Sequence, residues 1–358
     1  MQYRKLGRTN LNVSFIGLGG LYFQALSNVE TVKIIMRANE LGINVIELGR
    51  AYISSEEKAG FVMQKKRNEF YIATKTPHRR KTDATKDIDE SLASLKTDYI
   101  DIYQLHQIDS LEMLDRVLSP DGACEALKRA KEQGKIRYIG ITGHSPAVLA
   151  KAIKTGEFDT VQVLFNVVER EALSELIPLA QDMNVGILGM KPFGGGAFLE
   201  KESNIYQILN KYGNTAIGTL LRFVLSFNIS CTLMGVRTVK ELEANVTFEE
   251  TFKPFSEKEI TNIISEIDNI GLKEEKFCHR CGYCVSCPQH IDIPLILRLD
   301  EYFRKYGSTD WPAQQYSHIR QNALKCVQCG QCEKKCPFEL PIREMLKVAH
   351  KRLSAIIT

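Results

Sequence analysis

Eight apolar, strand-like runs alternate with amphipathic, helix-like segments along most of the chain, and this alternation constrains the fold more than any other feature. The runs are SFIGLG, NVIELG, FYIATKT, IDIYQLHQ, RYIGITG, TVQVLFN, GILGMKP and CTLMGV. Between them lie segments such as NVETVKIIMRANELG, ATKDIDESLASLKTD and SPAVLAKAIKTG, whose apolar residues recur at helical spacing. Several of these end at a glycine, as at Gly42, Gly134 and Gly156, the punctuation expected of a helix C-terminus before a strand. About eight strand–helix units over roughly 250 residues is the arithmetic of an α/β chain folded as a (β/α)8, or TIM, barrel. An open doubly wound sheet is the rival. Its Gly-x-Gly-x-x-Gly turn fails here, because Gly17 and Gly19 are followed by Tyr22 where the third glycine should stand.

The pattern changes from about Thr251. FSEKEITNIISEIDNIG reads as a helix leading through a charged linker into a stretch that holds eight of the ten cysteines. The first run, FCHRCGYCVSCP, carries Cys278, Cys281, Cys284 and Cys287, and the second, CVQCGQCEKKCP, carries Cys326, Cys329, Cys332 and Cys336. The second run has the C-x2-C-x2-C-x3-C-P spacing of bacterial [4Fe–4S] ferredoxins, in which three thiolates hold one cluster and the fourth crosses to the other. The first run is one residue shorter. Two [4Fe–4S] clusters are therefore expected, one on Cys278, Cys281, Cys284 and Cys336, the other on Cys326, Cys329, Cys332 and Cys287. Two zinc sites are the alternative, since four thiolates also suit zinc. The segments between the runs, IPLILRLDEYFRKYG and AQQYSHIRQNAL, are helical in period, so this part is expected to be mainly α-helical. Cys124 and Cys231 read as plain buried thiols.

Two domains are expected, a barrel over 1–272 and an iron–sulfur domain over 273–358. A net charge of +4 on a mixed surface, with no basic tract interleaved with aromatics, argues against a nucleic-acid partner. MQYRKLGRTNLNVS lacks the apolar core of a signal peptide, and Ile217–Ile229 is interrupted by Arg222 and Asn228 and too short to span a bilayer. C-x-x-C runs suit a reducing compartment, and with no membrane segment read, the expected location is the cytoplasm.

In a barrel of this kind the chemistry is expected at the C-terminal ends of the strands. Those positions hold Glu47 with Tyr52 just beyond it, Lys75, His106, Gln162 with Asn166, Lys191 and Arg237. Taken with GINVIELGRAYISSEEKAG, IATKT, IDIYQLHQID and RYIGITGHS, this set resembles the aldo-keto reductase superfamily, from YRKLGRTNLNVSFIGLG to GVRTVKELEANV. The chain as a whole resembles the branch fused to a ferredoxin-type domain.

The resemblance implies reversible hydride transfer between NADPH or NADH and a small-molecule carbonyl substrate. Tyr52 would donate its proton to the nascent alkoxide. Lys75 would be the cation that favours the phenolate, Glu47 would pair with Lys75, and His106 would orient the carbonyl oxygen. The family normally has Asp where Glu47 stands, and the extra methylene must displace Lys75 or fold back. For the cofactor, the resemblance implies Thr142 and Gln162 at the nicotinamide and Lys191, Gly194 and Gly195 in the loop approaching the pyrophosphate. It implies Arg237, Thr238, Glu241 and Asn245 at the adenosine side. Arg237 could pair with a 2′-phosphate, while Glu241 would repel one, which leaves NADP and NAD open with a lean to NADP. Met190 stands where many relatives have a stacking Tyr, and His144 reads equally as a site residue or a satisfied loop histidine.

Hydride transfer moves two electrons and a cluster passes one, and no flavin motif joins the two. The clusters are open to a structural, a sensing or an electron-delivering role, the last implying a one-electron redox partner. Two further readings stand beside the reductase. One is an electron-transfer protein whose barrel binds a nucleotide or partner without reducing carbonyls, and the other is a zinc-stabilised interaction protein. Substrate identity and oligomeric state are not written in the sequence.

Overall fold

The computed structural model describes residues 1–52, 54–199, 201, 204–247, 252–270, 278, 284, 287–306, 310–336 and 340–355. Two short strands, β1 (Tyr3–Lys5) and β2 (Asn12–Ser14), pair antiparallel as a hairpin. Eight more follow: β3 (Ile16–Gly19), β4 (Val45–Glu47), β5 (Tyr71–Thr76), β6 (Ile100–Leu105), β7 (Ile136–Gly143), β8 (Thr160–Leu164), β9 (Gly186–Met190) and β10 (Cys231–Met234). They close into a parallel barrel in chain order, with β10 returning to β3. All eight strand-like runs become barrel strands.

The helices between them begin and end where local chemistry dictates. Ser27 and Glu30 form a reciprocal capping box at the start of Asn28–Glu40, Ser145 with Pro146 opens Pro146–Lys154, and Thr238 caps Val239–Val246. Gly42, Gly134 and Gly156 take φ values of 83°, 73° and 80° just past helix ends, the left-handed conformation that glycine adopts without a Cβ clash.

The barrel interior is built in layers. Val45, Ala73, Ile102, Leu188, Cys231 and Leu233 pack with Leu6, Leu11 and Val13 of the hairpin segment into an apolar plug at one end. Side chains two residues further along a strand share its face. The next inward positions above the plug are Glu47, Lys75, Gln104 and Met190, so the barrel turns polar toward its C-terminal end.

By contacts the chain divides into two units, 1–192 with 220–257, and 193–219 with 258–358. The second unit holds all but the first residue of helix Glu257–Asp268, and helices Ile293–Tyr306, Asp310–Ser317 and Ile342–Ser354. Ile296, Leu297, Leu346 and Leu353 form its core together with buried Cys278 and Cys284, and Cys287, Cys326, Cys332 and Cys336 pack against it. Cys281 and Pro337 lie outside the described residues. No described helix is long and apolar enough to cross a membrane.

Candidate active site

Glu47 ends β4, Lys75 lies in β5 and His106 follows β6, so three neighbouring strands deliver their side chains to one end of the barrel. Tyr52 comes from the loop after β4, where its N–H donates to Gly49 O at 2.8 Å. Arg50 fastens this loop. Its backbone N–H donates to Lys75 O at 3.0 Å, and its guanidinium bonds Glu56 at 2.7 Å and Glu90, with Asp87 3.8 Å away.

Lys75 is fully buried, and its ammonium donates to Glu47 Oε1, to Leu48 O at 2.5 Å and to Tyr52 Oη at 3.2 Å. Its three protons are thereby used. Tyr52 Oη lies 3.5 Å from Glu47 Oε1, and Gln162 Nε2 donates to that same oxygen at 2.9 Å. The His106 ring meets the Tyr52 ring edge-on, centroids 5.8 Å apart.

Burial pushes the Tyr52 phenol up and Glu47 adds to it; Lys75 pulls the other way but does not prevail, so Tyr52 sits above its ordinary value. Burial alone would lower Lys75, yet Glu47 and then Tyr52 outweigh it and hold the ammonium above its ordinary value. His106 is driven well below the usual histidine range by burial and by the charges of Lys75, His144, Arg79 and Lys191. At neutral pH the constellation is a protonated phenol, an ammonium and a neutral imidazole.

A second chain of contacts crosses the same end of the barrel. Asp109 accepts the backbone N–H of His144 and lies 3.1 Å from His144 Nδ1, while Lys191 Nζ is 3.1 Å from His144 Nε2. Burial works to raise Asp109, but the bond and charge of His144 and the N–H groups of His144 and Ser145 keep it below the usual carboxylate range. The two ring nitrogens of His144 thus face Asp109 on one side and Lys191 on the other. Gly143 permits the approach, since a Cβ there would stand 2.6 Å from Ile108 O. Thr142 is buried in β7 in register with Gln162, and Gln162 Nε2 also reaches Met190 Sδ at 3.6 Å.

Of the other expected cofactor residues, Arg237 lays its guanidinium over the Tyr22 ring at 4.5 Å. Thr238 caps its helix by accepting from Glu241 N at 3.1 Å, Glu241 turns its carboxylate onto Arg237 N at 2.7 Å, and buried Asn245 reaches Met234 Sδ at 3.6 Å. Gly194 and Gly195 belong to the second unit, in the 3-10 turn Gly194–Leu199. Gly194 has φ 56°, and a Cβ there would meet the Phe198 ring at 2.5 Å.

In the second unit, Cys284, Cys287, Cys326, Cys329 and Cys332 line one cavity, together with Pro288, Gly330, Lys335 and Arg343. Cys336 packs against the same core. Cys124 and Cys231 are buried elsewhere, and burial pushes the Cys124 thiol up to about 12.

The model of the aldo/keto reductase family matches residues 15–268. The chain belongs to that family. A 4Fe-4S dicluster domain matches residues 277–341, and the protein is an oxidoreductase. This aldo-keto reductase is 30% identical over 215 residues to the uncharacterized oxidoreductase YqkF of Bacillus subtilis, covering 56% of this chain and 68% of that one. It is 26% identical over 310 residues to L-galactose dehydrogenase of Arabidopsis thaliana, covering 77% and 92%. Among solved structures, the holo form of aldo-keto reductase AKR11C1 from Bacillus halodurans superposes with a TM-score of 0.63 at 24% identity, over 74% of this chain and 96% of that one.

The residues present fit the groups that this family and domain imply. Gln162 Oε1 is buried without a partner while its Nε2 is tied to Glu47, so the amide offers an oriented acceptor to an N–H such as that of the nicotinamide carboxamide. His106 Nδ1 is likewise buried and unpartnered. Five thiols line one cavity and are of the soft donor type that an iron–sulfur cluster takes, while among the described residues no three ligating side chains stand close enough together to hold a metal ion. Reading the sequence alone missed Arg50, which positions the tyrosine loop, and Asp109, which orients His144.

Proposed function

We propose that this aldo-keto reductase reduces a carbonyl to an alcohol, or runs the reverse, with NAD(P)H as partner. The observation that carries the reading is the fully buried Lys75 ammonium shared by Glu47, Tyr52 and Leu48 O beside His106. NAD(P)H, when bound, supplies the hydride. Tyr52, kept protonated, donates its proton to the oxygen that gains negative charge, and Lys75 stabilises the phenolate left behind. Glu47 keeps Lys75 charged in a dry site, and neutral His106 orients the carbonyl oxygen. Gln162 Oε1 and Thr142 would bind the nicotinamide, Lys191 the pyrophosphate, and Arg237, Thr238, Glu241 and Asn245 the adenosine.

The lean to NADP has support in the commitment of Glu241 to a backbone N–H. This leaves the Arg237 guanidinium, laid over Tyr22, to meet a 2′-phosphate. In the second unit, Cys326, Cys329, Cys332 and Cys287 would hold one [4Fe–4S] cluster, and Cys278, Cys281, Cys284 and Cys336 the other. All four thiols of the first set line the one cavity, which Cys284 of the second set lines as well. The barrel domain is taken to run to about residue 272, and a reducing compartment such as the cytoplasm suits the thiols.

The test is an anaerobic titration of iron-quantified protein with NADPH and NADH, following nicotinamide and cluster absorbance together, with and without a panel of carbonyls. Carbonyl-dependent oxidation is expected, with the higher kcat/KM for NADPH, and Tyr52→Phe should lower it about 10²- to 10⁴-fold. Turnover by Tyr52→Phe at the parent rate would sink the mechanism.

A further inference from the structure

Leu324 is 68% exposed and Val327 60% exposed, on either side of Cys326. Single exposed apolar residues are ordinary. This pair differs in what lies beneath it. Val327, Cys329, Gln331 and Lys335 are exposed and also line the thiol cavity, so the outer wall of the cavity is itself molecular surface.

The charge along this stretch is mainly basic. Between residues 324 and 336 the sequence places Lys325, Lys334 and Lys335, all exposed, against Glu333. Glu333 is occupied by Arg343, whose backbone N and Nε donate to it at 2.9 and 2.8 Å. A stretch that exposes apolar and basic side chains beside an exposed cysteine of the cavity is the surface expected of electron exchange between proteins. Electron transfer weakens steeply with distance, so the partner must reach the thinnest wall. Such encounters are small and brief, and they are guided by opposite charge more than held by area.

We propose that the face formed by Leu324–Lys335 is where this enzyme exchanges electrons with an acidic one-electron carrier protein. The proposal rests on the reading above that the thiol cavity holds a cluster. In each event one electron passes between carrier and cluster, the one oxidised as the other is reduced, and no bond is made or broken.

The test uses the dithionite-reduced, full-length holoenzyme, with iron and sulfide quantified, mixed anaerobically with oxidised plastocyanin or oxidised cytochrome c. These probes are both high-potential one-electron acceptors, the first acidic and the second basic. Plastocyanin is expected to reoxidise the clusters faster than cytochrome c at low ionic strength, and to lose about tenfold or more of its rate at high salt. Lys325→Glu combined with Lys334→Glu should remove about tenfold of the low-salt plastocyanin rate while leaving iron content and reoxidation by uncharged benzoquinone unchanged. Leu324→Ser with Val327→Ser should slow plastocyanin at high salt as well.

A plastocyanin rate indifferent to salt and to the lysine changes, or a faster reaction with cytochrome c, overturns the proposal. So does a dimer in sedimentation that Leu324→Ser dissociates, because a second copy of the chain would then cover the face. A protein that binds zinc and no iron overturns the cluster reading and this proposal together. An iron-loaded protein blind to carrier charge overturns this proposal alone.

Discussion

Glu47 Oε1 receives Lys75, Gln162 and, more distantly, Tyr52, so one carboxylate oxygen ties Tyr52 to Gln162. With its extra methylene over aspartate, the Glu47 carboxylate still reaches the Lys75 ammonium. Tyr52 and Lys75 are pushed above their ordinary values and His106 below its own, so carbonyl reduction should be flat between about pH 7 and pH 9. Gln162→Glu would set a second carboxyl about 2.9 Å from Glu47. Two acids so close cannot both ionise cheaply, so the new one takes a raised pKa. At low pH it is protonated and donates to Glu47 as the amide does; at higher pH it ionises and repels Glu47. The expected outcome is a kcat/KM for reduction that falls with rising pH in the variant and stays level in the parent. A level profile in both would mean that the contact does not govern the site. Glu47, Tyr52, Lys75 and His106 were legible because each lies on or just beyond a strand whose type the sequence reveals. The bond from Gln162 to Glu47 spans 115 positions, and the contacts joining Asp109, His144 and Lys191 span 35 and 47. Nothing in local spacing announces such contacts.

Helices Ser55–Lys66 and Lys81–Leu95 touch at Gly60, where a Cβ would stand 2.2 Å from the backbone oxygen of Ser94. Propensity favours alanine over glycine inside a helix by about 1 kcal/mol, so a propensity argument predicts that Gly60→Ala stabilises. Packing predicts the reverse. The clash is with backbone, which cannot rotate away, and overpacking of this kind costs about 2 kcal/mol. After the propensity gain, Gly60→Ala should still lower the barrel's melting midpoint, by a few degrees for a net loss of roughly 1 kcal/mol. Calorimetry showing an equal or higher midpoint would refute the close approach. Elements with a long period were readable from the sequence, as the eight barrel strands and the helices between them were. The β1–β2 hairpin was not, because its strands, YRK and NVS, are mostly polar and form no apolar run. The helix Leu111–Leu118 also went unread, although Ser110 caps it by accepting from Met113 N at 3.2 Å.

The two units differ in what their cores are made of. The barrel closes on its own strands and an aliphatic plug, whereas the second unit builds a small core in which cysteines stand among the apolar side chains. Strand–helix alternation carries the barrel on toward residue 272, while contacts group 193–219 and all but the first residue of helix Glu257–Asp268 with the cysteine unit. Periodicity reports an element's type and says nothing of its neighbours. A core that counts thiols among its members cannot close well without what the thiols hold, and metal binding is then folding free energy. Stripping the iron with a chelator under mild oxidation should therefore abolish the thermal transition of the second unit. It should also reduce the far-ultraviolet helix signal contributed by its 14- and 13-residue helices, Ile293–Tyr306 and Ile342–Ser354. Proteolysis should then cut within 277–341, the span of the dicluster domain. The barrel's own transition should persist, because its core and the Glu47–Lys75–Tyr52–His106 constellation draw on residues of the first unit. Reconstitution with iron and sulfide should restore the lost transition. An iron-free protein that melts in both steps and resists protease like the holoenzyme would show that the cysteine unit folds without its clusters, leaving electron exchange as the reason to keep them.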